Sequence, residues 1–243
     1  MKLLLLNYRA FLSTPVALTS VRRAFSAAAA PFSASKWEGG VAMVQGASRG
    51  IGLEFATTMS IREKYGSLNL LINASGILSI PNVLQPETTL NKVEKSSLML
   101  AYEVNAVGPI LIIRHMWPLL KAGGGSGTQR DVAVVANLSA RVGSIGDNRL
   151  GGWHSYRSSK AALNQLTKTV SVEFARKKDP IICILLHPGT VDTDLSRPFQ
   201  RNVPEGKLFT KEFSVQKLLN IINNAKSHDN GKFFAWDGQE IPW

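Results

Sequence analysis

The sequence predicts an α/β fold, a parallel sheet covered by helices on both faces. Three observations carry that prediction. Short, almost wholly apolar runs alternate with longer segments of helical character, the pattern of strands buried on both faces. The first such run ends in a glycine-rich turn that leads into a helix. With 243 residues, 44% apolar and 19% charged, the chain has the length and composition to bury one sizeable core. No internal repeat and no second domain is legible.

Residues 1–36 contain Lys2, Arg9, Arg22, Arg23 and Lys36, are rich in Ser and Ala, and precede the first acid, Glu38. That is the composition of an organelle leader, expected to be disordered. Asn7 and Arg9 interrupt the leucines at 3–6 too early for a secretory core, and the run is far short of the ~20 residues of a membrane span. Arg22-Arg23-Ala24-Phe25-Ser26 resembles a mitochondrial processing region; a chloroplast leader is the alternative. A single folded domain, 37–243, is expected to follow.

Residues 40–45 read as the first strand. Gly46, Ala47, Ser48, Arg49, Gly50, Ile51 and Gly52 form the turn, where glycines allow a backbone to approach a ligand and the next helix, over 53–65, offers its N-terminus to a phosphate. A second strand at 68–72 ends in Asn73-Ala74-Ser75-Gly76. Pro81 and Pro86 mark a loop, and a helix is expected over 90–120 with a break near Gly108-Pro109. A third strand covers 132–138, followed by a polar loop to Gly152 and a helix to about 178. A fourth strand at 181–186 ends in His187-Pro188-Gly189-Thr190-Val191-Asp192-Thr193. An amphipathic helix over 215–225 and a fifth strand at 232–236 complete the chain.

Charge and composition exclude several classes. The formal net charge is +11, from 28 Lys and Arg against 17 Asp and Glu. Setting aside the five bases of the leader leaves 23 against 17, with no basic block interleaved with aromatics, so a nucleic-acid partner is not expected. The modest remaining field suits a phosphorylated cofactor. One cysteine, Cys183, excludes an internal disulfide, and the four histidines lack ligand spacing, so no metal is expected.

Tyr156 and Lys160 stand four apart on the predicted helix, one turn apart on one face. A nearby ammonium favours phenolate, lowering a tyrosine pKa from about 10 toward working pH. Such a pair serves general acid–base chemistry, although Tyr-x-x-x-Lys also arises by chance on solvated helices.

Five motifs in order remove that ambiguity: the glycine turn 46–52, residues 73–76, Asn105 within Val-Asn-Ala-Val-Gly, Tyr156 with Lys160, and Pro188-Gly189. Over 40–240 the sequence resembles the short-chain dehydrogenase/reductase family, with its doubly wound Rossmann-like sheet. Gly143-Ser144-Ile145 and Gly151-Gly152 make it similar to the carbonyl-reductase-like or C-factor-like branch. The resemblance implies an NAD(P)-dependent enzyme passing a hydride between a nicotinamide and a small carbonyl or alcohol. It implies that Tyr156 exchanges the proton, Lys160 tunes it and bonds the nicotinamide ribose, and Asn105 holds a water linking Lys160 to solvent. Gly46, Gly50 and Gly52 would cradle the diphosphate, with Asn73 near the adenosine. Thr190 and Thr193 would meet the carboxamide or phosphates. Ser48, Arg49, Ile51, Ala74, Gly76, Pro188 and Gly189 complete the implied cofactor set. Family oligomers use the helices bearing Asn105 and Tyr156, so a homo-oligomer through them is an expectation.

Two departures stand out. The family's substrate-binding serine is usually the second of a pair, but the pair here is Ser139-Ala140. Ser139 is favoured as its replacement over Ser144, although strand alternation points neighbours to opposite faces. The second departure is a span of only 27 residues from Gly46 to Asn73, about one βαβ unit of roughly 30 residues. The family has two further strands there, so the sheet is expected to be truncated by two strands, with an abrupt junction between Met59 and Ile61 of the kind a skipped exon leaves. The residues that separate NAD from NADP fall in the missing part; Arg49 favours NADP through a 2′-phosphate contact. The first strand becomes an exposed edge. The alternative to a working reductase is an impaired isoform, without adenosine-side binding, that associates with intact subunits.

Overall fold

The apolar runs do form strands. In the computed structural model, which describes residues 2–6, 34–46, 66–125 and 127–243, they are β1 Lys2–Leu6, β2 Val41–Gln45, β3 Leu70–Asn73, β4 Ala133–Leu138 and β5 Ile181–His187. The short β6 Thr190–Val191 and β7 Leu208–Phe209 precede β8 Phe233–Ala235. One sheet runs β1-β2-β3-β4-β5-β8 with every neighbouring pair parallel, while β6 and β7 pair separately. The helices are α1 Lys95–Tyr102, α2 Gly108–Gly123, α3 His154–Arg176 and α4 Lys211–Asn224.

Every residue of β2, β3 and β4 is buried, because helices cover both faces. On one face Val44, Ile72, Val134 and Ile184 belong to a core with Val215, Leu218 and Ile222 of α4 and with Trp37. On the other, Met43, Leu71, Val135 and Cys183 meet Ile112, Ile113 and Leu120 of α2 and Phe174 of α3. Alternate residues of each strand thus serve opposite cores. Thr210 Oγ1 accepts the Phe213 N–H at 3.2 Å, so α4 starts at Lys211, ahead of the apolar periodicity that begins at Val215.

The long helix expected over 90–120 is broken more thoroughly than Pro109 alone implies. A 3₁₀ turn Leu90–Lys92 precedes α1, and a π-turn Glu103–Val107 joins α1 to α2. Pro109 has no N–H for the Asn105 carbonyl, and the Gly108 N–H bonds to the Glu103 carbonyl across the wider turn. By length and composition the run Lys95–Gly123 could cross a membrane, but Ile112, Ile113 and Leu120 are buried against the sheet as in a core helix.

Two expectations are corrected at the edge of the sheet. Residues 2–6, assigned to a disordered leader, run parallel to β2 in a register from Lys2↔Val41 to Leu6↔Gln45. The first strand of the domain, β2, is therefore not an exposed edge, because the backbone of β1 pairs with it. Among the described residues the sheet passes directly from β2 to β3. The helix expected over 53–65 and the junction between Met59 and Ile61 lie outside the described residues.

Since β2 to β5 all run one way, Gly46, residues 73–76, Ser139 and Pro188-Gly189 gather along the carboxyl edge of the sheet, where open α/β sheets bind ligands.

Candidate active site

Helix α3 carries Tyr156 and Lys160 into a buried layer, at 9% and 3% exposure. The Lys160 Nζ lies 5.8 Å from the Tyr156 ring centroid and donates to the Leu138 carbonyl, the end of β4, at 2.9 Å. Asn105, on the π-turn, is wholly buried. Its Oδ1 accepts the Ile77 N–H at 2.8 Å, and its Nδ2 donates to the Ile77 carbonyl and to Ser159 Oγ, both at 2.9 Å. The π-turn is thereby tied to the chain just after Gly76 and to the turn of α3 between Tyr156 and Lys160. A Cβ on Gly76 would stand 3.3 Å from Lys160 Nζ and 3.5 Å from Asn105 Oδ1. Gly76, Asn105 and Lys160 therefore share one small space.

Electrostatics correct one expectation from spacing. Burial raises the Tyr156 phenol well above its ordinary value, and burial lowers Lys160 to about 8. Desolvation, rather than attraction between the pair, decides both directions. The ammonium is bonded to the Leu138 carbonyl, and among the described residues the Tyr156 hydroxyl has no hydrogen-bond partner. A phenol with a raised pKa stays protonated at neutral pH.

The two candidate serines are both buried, and each hydroxyl is engaged elsewhere. Ser139 Oγ donates to Asn164 Oδ1 at 2.6 Å, fastening the end of β4 to α3 one turn beyond Lys160. Ser144 Oγ accepts the Asp147 N–H at 3.1 Å, shaping its own loop. Among the described residues neither is bonded to Tyr156.

On the side expected to hold a cofactor, Gly46 adopts φ +84°, and a Cβ there would lie 2.7 Å from the Ser75 nitrogen. Only glycine fits so close to a backbone. Ser48, Arg49, Gly50, Ile51 and Gly52 lie outside the described residues. Asn73 Nδ2 donates to Asn137 Oδ1 at 2.7 Å, and its Oδ1 is buried with no partner among the described residues. Ala74 packs against the α4-side core. The Pro188 carbonyl accepts Ser214 Oγ–H at 2.9 Å, and Gly189, at φ +78°, lies against the Phe209 ring. Thr190 belongs to β6, and the Thr193 N–H donates to Ser196 Oγ at 3.3 Å in the loop that follows.

Three contributors escaped the sequence reading. Trp153, just before α3, has φ 52° and ψ 44°. Its ring stands edge-on to Tyr156 at 6.3 Å between centroids and 5.0 Å from Phe199. Phe199 sits in a 3₁₀ turn, Arg197–Asn202, between β6 and β7, a stretch with no readable motif. The Glu87 carboxylate accepts the Ser155 N–H at 3.1 Å and also the Ser155 hydroxyl. The glycines at 151 and 152 were a signal for an unusual helix start; nothing flagged Glu87, which is 68 positions from its partner.

Known proteins resemble this chain in sequence and in fold. A family model described as short chain dehydrogenase matches residues 56–204. The C-signal protein of Myxococcus xanthus is 30% identical over 178 residues, which cover 73% of this chain and 94% of that protein. A 1-hydroxy-2-glutathionyl-2-methyl-3-butene dehydrogenase of Rhodococcus sp. (strain AD45) is 30% identical over 188 residues, 77% of this chain and 74% of its own length. Among solved structures, an NADPH-bound carbonyl reductase from chicken fatty liver superposes with a TM-score of 0.70 at 26% identity, covering 85% of this chain and 99% of that one.

Proposed function

Because the chain belongs to the short-chain dehydrogenase family, we propose that it is a nicotinamide-dependent oxidoreductase that reduces a small carbonyl compound, with NADP(H) preferred to NAD(H). The observation that carries this reading is the convergence of Tyr156, Lys160, Asn105 and Gly76 at the carboxyl edge of the sheet. The residues there fit a dinucleotide. Gly76 leaves space beside Lys160 and Asn105 that a side chain would narrow, and Asn73 Oδ1 is a buried acceptor without a partner among the described residues. When bound, the nicotinamide supplies or takes the hydride.

The remaining roles belong to the chain. Tyr156, protonated at neutral pH, donates its phenolic proton to the carbonyl oxygen. Lys160, still mostly charged at pH 7, holds the nicotinamide ribose and stabilises the phenolate left behind. Asn105 keeps the π-turn open toward Lys160 for a proton-carrying water. Trp153 and Phe199 form an apolar wall beside Tyr156 that orients the substrate and excludes water. Ser139 acts by fixing β4 to α3 rather than by touching substrate.

The NADPH preference of this reading is supported by Arg49 and by the NADPH bound to the chicken carbonyl reductase. The acid-free basic leader supports a mitochondrial location, with a chloroplast second. A homo-oligomer through α2 and α3 is supported by exposed Val107 at the end of the π-turn, Leu111 on α2 and Val172 on α3.

The test is NADPH oxidation by purified full-length chain with benzaldehyde and a panel of small ketones, alongside NADPH binding by fluorescence. Turnover that Tyr156→Phe abolishes, with NADPH still bound, is the expected result. A well-folded chain that binds neither NADPH nor NADH would refute the reading. That same loss of nucleotide binding is what the impaired-isoform alternative, without adenosine-side binding, predicts.

A further inference from the structure

Glu87 is a carboxylate only 3% exposed, and among the described residues no basic side chain is bonded to it. Burying such a charge is costly unless hydrogen bonds replace its water. Its bonds all go to one place. Oε2 accepts the Ser155 N–H at 3.1 Å, Oε1 accepts the Ser155 hydroxyl, and the Glu87 carbonyl accepts the Trp153 N–H. These groups lie at the start of α3, whose first-turn N–H groups have no partner within the helix and form the positive end of its dipole. The cap residue Trp153 supplies no side-chain hydrogen bond of its own. Glu87 takes that place from a distant loop.

The backbone entering α3 needs such a fixture. Gly151, Gly152 and Trp153 are left-handed in succession, with φ 63°, 66° and 52°. Two are glycine, for which this is easy; Trp153 has a Cβ and a bulky ring, for which it is not. A Cβ on Gly152 would meet the Glu87 carbonyl at 3.5 Å, so this strand of backbone lies directly on the Glu87 loop. The result of the arrangement is the placement of the Trp153 ring between Tyr156 and Phe199.

We propose that Glu87 is a positioning residue of the active site: it anchors the first turn of α3 and holds Trp153 left-handed, setting the orientation of Tyr156 and the aromatic wall beside it. This rests on Tyr156 being the proton donor.

The test uses the full chain with Glu87→Ala, Glu87→Gln and Ser155→Ala. It reads benzaldehyde reduction, NADPH binding and near-UV circular dichroism, with Trp153→Phe identifying the Trp153 contribution to the spectrum. Glu87→Ala is expected to lower kcat about tenfold or more, as small misplacements of a catalytic group do. NADPH affinity should be preserved and the Trp153 signal weakened, since the Glu87 carbonyl still accepts the Trp153 N–H while the side-chain anchor on Ser155 is gone. Glu87→Gln keeps an oxygen for the Ser155 N–H and should restore most of both. A Glu87→Ala protein that melts earlier but retains kcat and the Trp153 signal would overturn the proposal, as would a glutamine variant no better than alanine. If Glu87→Ala does not fold, Ser155→Ala decides: an unchanged rate and spectrum refute the proposal, while a loss of both supports it. If the unsubstituted chain shows no turnover, that failure falls on the proposed function, and the Trp153 signal alone decides the role of Glu87.

Discussion

Gly76→Ala separates catalysis from stability more cleanly than any change to Tyr156 itself. Gly76 is not among the glycines with positive φ, so alanine brings no backbone strain. Its new methyl would stand 3.3 Å from Lys160 Nζ and 3.5 Å from Asn105 Oδ1. The first contact is tight by a few tenths of an ångström, and the atom that must yield ends a flexible side chain. Replacing glycine by alanine also restricts the unfolded chain, a gain of ~0.4–1 kcal/mol. Contact and gain nearly cancel, so stability should change by less than about 1 kcal/mol. Under the proposed function, the methyl nevertheless fills space beside Lys160 and Asn105 that a nicotinamide ribose would need. Displacing the ammonium should lower kcat/KM by about tenfold or more, equivalent to ~1.4 kcal/mol. Gly46→Ala is the control. At φ +84°, with its Cβ 2.7 Å from the Ser75 nitrogen, it meets backbone that cannot yield, and should cost of order 1–3 kcal/mol of stability. The assays are thermal and urea melts together with NADPH-dependent turnover. A Gly76→Ala chain that unfolds easily, or one that turns over normally, refutes the reasoning about this space.

Three further outcomes are expected. Lys160 titrates at about 8, so carbonyl reduction should hold below that pH and fall as pH rises through it and the ammonium is lost; a pH–rate profile flat to pH 10 would contradict this. Arg130 donates to the Asn223 carbonyl at 2.8 Å and the Ala225 carbonyl at 2.6 Å, capping α4, and lies 4.6 Å over the Trp37 ring. Arg130→Ala should therefore cost of order 2–3 kcal/mol in a urea melt, with NADPH affinity preserved. Removing residues 1–10 takes away β1 and uncovers the edge of β2. Light scattering should then show concentration-dependent association beyond that of the intact chain, and a truncated chain with unchanged assembly and an unchanged melt would show that β1 contributes little.

The strands were legible because both faces of the sheet are covered. Burial on two sides demands continuous apolar runs, and the stretch expected at 132–138 is observed as Ala133–Leu138. Tyr156 with Lys160 was legible for a similar reason: four residues on a helix is a local distance, so their shared face follows from spacing alone. The pairing of residues 2–6 with β2 was not legible, since a leucine run beside basic residues reads equally as a leader. Nor was the hydroxyl of Ser139 legible as a fastening to Asn164, since that bond joins two separate elements.

By itself the sequence determined the alternation of strands and helices, the family motifs and the shared helical face of Tyr156 and Lys160. These depend on composition, periodicity and local spacing. Tertiary structure alone decided how the Tyr156 phenol and the Lys160 amine titrate, because burial sets those shifts and burial is a property of the assembled layers. It also decided that the π-turn delivers Asn105 to Ile77 and Ser159, and that Glu87 reaches the start of α3. Hydrogen bonds between residues far apart in the chain leave no periodic trace, and only the packed sheet and helices bring their partners within reach.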